Sequence, residues 1–119
     1  MKLNILGTEY EVSVCAFSED EKFEQRGING YCDGYGKKIV VCNMLTYPGY
    51  ESEPPASTAV CQAHCLRHEI VHAFFAESGL MESAGKPDGA WPENEEMVDW
   101  FAVQGPKIYA AWQEAGALC

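Results

Sequence analysis

The chain contains three histidines, spaced four residues apart at His64, His68 and His72. On a helix that interval returns a side chain to the same face one turn along, so the three imidazoles would stand in a row. The last two frame the string His68-Glu69-Ile70-Val71-His72, an H-E-x-x-H arrangement. Two imidazoles at this spacing close on one zinc ion with nitrogen-to-metal bonds of about 2 Å. The glutamate between them is rotated to the flank, where it does not ligate but reaches a metal-bound water as general base. His68 and His72 are therefore the metal-ligand candidates and Glu69 the catalytic candidate, for hydrolysis.

A zinc site needs at least one more protein ligand, and a catalytic one leaves a position to water. The acidic candidates lie downstream in Asn94-Glu95-Glu96-Met97-Val98-Asp99-Trp100-Phe101-Ala102. Glu95 is preferred to Glu96, because only Glu95 has Asp99 one turn further along its own face. There Asp99 can accept the N–H of a ligating histidine and orient its ring. Both glutamates also suit a plain helix start, where acidic side chains meet the positive end of the macrodipole. The residues leave open which divalent metal is held.

The elements that must position these groups are readable from pattern. Residues 2–14 pass through a Gly-Thr break into alternating Tyr10, Val12 and Val14, a hairpin signal. Residues 18–26 form a short acidic helix with solvated charges, and 27–43 a second hairpin whose last strand, through Ile39-Val40-Val41, is well buried. The proline-rich stretch 47–57 is a loop, and a long helix starts near Ser57 or Thr58 and ends at Ser78 with Gly79 as its cap. On that helix Val60, Ala63, Ile70, Val71, Phe74 and Phe75 fall on one broad stripe, which predicts deep burial, with Arg67 pairing a carboxylate such as Asp99 or Glu77. Trp91-Pro92 opens a second helix ending near Gly105, and Pro106 a third to about Gly116, the tryptophans 91, 100 and 112 packing between them. The expectation is one α+β domain over 1–119, with a β-rich half at 1–46 and a helical metal-site half at 57–119.

Composition narrows the function class. Eighteen acidic against eight basic side chains leave a net charge of -10, with no basic patch for nucleic acid or an anionic membrane. The amino terminus has no secretory apolar stretch and no apolar run is long enough for a bilayer, so a cytoplasmic protein is expected. Its six cysteines are then thiols, best explained as small packing residues. Cys61 and Cys65, placed by helical geometry on the metal side with His64, offer an alternative Cys/His metal site. The glycines around Tyr31 lack the Gly-Lys-Ser/Thr of a phosphate loop.

The H-E-x-x-H string followed by Asn94-Glu95 and Asp99 resembles the gluzincin branch of zinc metallopeptidases. It is similar to the thermolysin pattern N-E-x-x-x-D and, through Glu95 with Phe101-Ala102, to the short ImmA/IrrE-type metallopeptidases of mobile elements. The resemblance covers about residues 61–102. It implies a zincin-like fold, a zinc cofactor, a peptide or protein substrate, and an edge strand beside the active-site helix that aligns the substrate, for which Lys38 to Cys42 is the candidate. Thermolysin-like enzymes stabilise the transition state with a later histidine, and no histidine follows His72 in this chain. That donor must be absent or replaced; Tyr31, Tyr35, Tyr47 and Tyr50 lie in loops from which one could supply it, each being better explained as structural, and the second domain that walls the cleft in larger members has no counterpart. A catalytically silent zinc-binding interaction module, or a zinc that only staples the domain, are the competing readings.

Overall fold

The computed structural model describes residues 1–83, 94–115 and 117–118. Strands β1 (Lys2–Ile5) and β2 (Thr8–Cys15) form the first hairpin, and β3 (Gly30–Asp33) and β4 (Lys38–Cys42) the second. Between the hairpins lies the short helix α1 (Lys22–Arg26). The long helix α2 (Pro55–Glu77), a single turn α3 (Leu80–Ser83) and α4 (Glu95–Glu114) follow. This is an α+β fold. The hairpins join through a parallel pairing of β2 with β4, from Glu11 opposite Lys38 to Cys15 opposite Cys42, giving the order β1-β2-β4-β3. Leu6 and Gly7, both at positive φ, make the tight turn between β1 and β2.

The sheet separates two apolar clusters. Tyr10 and Val12 from β2 join Ile39 and Val41 from β4 beneath α2, together with Cys65 and Ala73. On the opposite face Val40 and Cys42 pack with Phe23, Tyr31 and Met44. The unbroken apolar run of β4 is thus explained by burial on both faces. It also overturns the expectation that Lys38 to Cys42 is an edge strand: β4 is hydrogen-bonded on both sides, and the edge beside α2 is β3.

Helix α2 begins earlier than expected, with Pro55 in its first turn, where proline loses no hydrogen bond. Its sheet-facing side is not the stripe of large residues. Thr58, Cys65, Glu69 and Ala73 are the buried positions, and Val60 (69% exposed) and Phe74 (41%) look outward. Small side chains let the helix lie close on a sheet already filled by Tyr10 and Ile39, so packing rather than hydropathy selects the buried face.

In place of the two helices expected after residue 91, the described residues form one. Asn94 caps α4 by accepting the Met97 N–H at 2.9 Å. The helix then continues through Gly105 and Pro106 to Glu114. Pro106 has no N–H to give the Ala102 carbonyl four residues back, and Arg67 Nε donates to that carbonyl instead, at 2.6 Å. Arg67 therefore repairs a helix rather than pairing with Asp99 or Glu77. Trp100 and Trp112 are each 53% exposed, not packed in. The expected start at Trp91-Pro92 and the thiol of Cys119 lie outside the described residues. Among those residues no helix is long and apolar enough to cross a membrane.

Candidate metal centre

Helix α2 turns His64, His68 and His72 toward α4, and the first turn of α4 turns Glu95 back toward them. His68 Nε2 and His72 Nε2 stand 3.2 Å apart. Glu95 Oε2 is 2.8 Å from the former and 3.3 Å from the latter. Ligands about 2.0–2.1 Å from a zinc ion at tetrahedral angles are about 3.3 Å from one another, so this triangle has the size of one face of such a site. Two imidazole nitrogens aimed at each other also call for a shared cation or proton between them. Among the described residues, His68, His72 and Glu95 are the group whose donor atoms converge closely enough to hold a metal ion. Two nitrogens and one carboxylate oxygen suit zinc and neighbouring divalent ions alike. Glu96 is exposed and outside this group.

Asp99, one turn along α4 from Glu95, meets the histidines from the other side. Its Oδ1 accepts from His68 Nδ1 at 3.2 Å and from His64 Nε2 at 2.6 Å. Burial works against its ionisation, but these hydrogen bonds outweigh it and hold its pKa below the ordinary value. With Nδ1–H given to Asp99, His68 keeps the Nε2 lone pair facing the triangle. Burial lowers the pKa of His72, favouring the neutral ring that can act as a donor.

Glu69 lies against β3, on the wall of the cleft that the triangle also lines. It is 7% exposed, and burial is the main reason its pKa rises to about 7; the neighbouring Glu95 adds to the rise, while His68 and Arg26 oppose it. A Cβ on Gly30 would lie 3.2 Å from the Val40 carbonyl and 3.4 Å from Glu69 Cγ, so glycine lets β3 pass close to this carboxylate. Glu69, His68, His72, Glu95 and Asp99 all line one cleft of about 1260 Å³ that runs along β3.

The four tyrosines raised as transition-state donors also line this cleft. The Tyr31 hydroxyl donates to Asp20 at 2.6 Å, and the ring of Tyr47 packs edge-on against Phe17 and Tyr50. Tyr35 stands at the rim, 88% exposed. Cys61 and Cys65 pack against the apolar clusters of the sheet while lining the same cleft as His64, and among the described residues they belong to no group whose donor atoms converge on a metal. Sequence reasoning missed Gly30, the first residue of β3, and Arg26, the last of α1, which line the cleft and carry no motif. The bond from His64 to Asp99 was within reach of the four-residue histidine spacing, but its partner sits on another helix. No family model matches the chain, and neither a curated protein nor a solved structure matches it.

Proposed function

We propose that this chain is a zinc metallopeptidase of zincin-like architecture, with His68, His72 and Glu95 as ligands and Glu69 as general base. The observation that carries the reading is the convergence of three donor atoms at separations of 2.8, 3.2 and 3.3 Å, with a buried carboxylate one residue away on the cleft wall. A zinc ion held there polarises a scissile carbonyl and acidifies a bound water. Glu69 accepts the proton of the attacking water and passes it to the leaving amine. Asp99 keeps the His68 ring oriented. The cleft, at about 1260 Å³, is larger than pockets for small molecules, about 300–1,000 Å³, and its wall is β3, an edge strand of the sheet among the described residues. Both features favour a peptide or protein as substrate, held extended beside β3.

A silent zinc-binding module of the same fold is the second reading, favoured by the commitment of the Tyr31 hydroxyl to Asp20. Elemental mass spectrometry after exhaustive dialysis tests the site itself. One zinc per chain is expected, lost in His72→Ala and Glu95→Ala and kept in Glu96→Ala and in Cys61→Ala/Cys65→Ala. A folded parent that retains and takes up no divalent metal defeats both readings. Turnover of a peptide pool by the zinc-loaded parent separates the enzyme from the silent module.

A further inference from the structure

His64 has no task in the metal triangle, yet its 2.6 Å contact with Asp99 is the shortest any of the three imidazoles makes. The oxygen it grips, Oδ1, is the one that accepts from His68 Nδ1. Asp99 belongs to α4 and its side chain is 47% exposed, so water competes for its carboxylate and rotation away from α2 costs little. His64 and His68, one turn apart on α2, hold that oxygen from two sides. Which nitrogen of an imidazole carries the proton is set by the partner of the other nitrogen. We infer that His64 is a positioning residue: it clamps Asp99, and the clamped carboxylate fixes His68 as the Nδ1–H tautomer with Nε2 presented to His72 and Glu95.

The purpose of this clamp rests on the metal reading, but the clamp is a hydrogen-bond arrangement that can be observed without metal. A mere strut between α2 and α4 would contribute to stability and leave the His68 tautomer alone. The full chain has three histidines, so long-range proton–nitrogen NMR resolves each ring. In the zinc-free parent at alkaline pH, where imidazoles are neutral, His68 is expected as Nδ1–H. His64→Leu should move it toward Nε2–H and weaken zinc binding about tenfold. His64→Gln, whose amide N–H can donate in place of Nε2–H, should restore both. A His64→Leu protein with the parent's His68 signals and zinc affinity overturns the clamp. So does a folded His64→Gln protein whose His68 has changed tautomer, which keeps the test open if the leucine variant does not fold. A parent that shows Nδ1–H on His68, lost in His64→Leu, but takes up no zinc keeps the clamp and defeats the metal reading instead.

Discussion

Glu77 ends α2 with three donors on its carboxylate: Lys37 Nζ at 2.5 Å, the Tyr10 hydroxyl at 2.8 Å and the Thr8 hydroxyl at 2.9 Å. Glu69, about two turns earlier on the same helix, faces the cleft beside β3. Both expose little surface, Glu69 7% and the Glu77 side chain 12%, but Glu69 lies deeper among protein atoms and Glu77 near the surface. Their acidities nevertheless part, with Glu69 pushed up to about 7 by burial and Glu77 held down to about 2 by the hydrogen bonds from Lys37, Tyr10 and Thr8. Depth and donors act together: burial raises the deeper Glu69, and three donors lower the shallower Glu77. Glu77 serves the fold by tying the end of α2 to both hairpin turns. Among the described residues no hydrogen-bond donor reaches Glu69, which suits the proton-acceptor role proposed for it.

The strongest challenge to this contrast is Glu69→Gln. Peptide hydrolysis by the zinc-loaded protein should fall by about 10²–10⁴-fold, the usual contribution of a general base, while zinc content and melting temperature stay with the parent. A variant that unfolds would show Glu69 to be a structural carboxylate of the same kind as Glu77. Next comes Glu77→Ala, which should lower the melting temperature at neutral pH and leave zinc content unchanged.

The pH dependence of that difference sharpens the point. A carboxyl whose pKa is 4.5 when unfolded and about 2 when folded adds stability that is fully present above 4.5 and is lost as the pH falls toward 2. Parent and Glu77→Ala melting curves should therefore converge across that acid range, and a constant gap would mean that the ion pair is not the cause. The smallest effect is expected from Tyr10→Phe, which removes one hydrogen bond to Glu77 at a cost of about 1–2 kcal/mol in denaturant unfolding, without touching hydrolysis.

The two hairpins, the long helix and the α+β class are legible in the sequence because alternation, glycine turns and proline breaks are local signals. Three expectations fail for non-local reasons. The buried face of α2 differs from the hydropathy stripe because hydropathy favours Val60 and Phe74, whereas the close approach of the sheet admits Cys65 and Ala73. The expected break at Pro106 does not occur because the carbonyl it orphans is satisfied by Arg67 from another helix. The edge strand is β3 and not β4, since β2 pairs with β4 in parallel, which no local pattern reveals.

The candidate site divides along the same line. The placement of His64, His68 and His72 on one helical face follows from residue spacing and 3.6 residues per turn, and needs no other part of the chain. That Glu95 rather than Glu96 meets them has support in the spacing to Asp99, but in the fold it follows from the face of α4 that packs inward, where Val98 and Ala102 are buried and Arg67 of α2 holds the Ala102 carbonyl. The convergence of Asp99 on His64 as well as His68, and the isolation of Glu69 against β3, belong to the tertiary structure alone. Spacing fixes directions within one helix, whereas distances between helices and the supply of donors to a carboxylate depend on how separate elements pack.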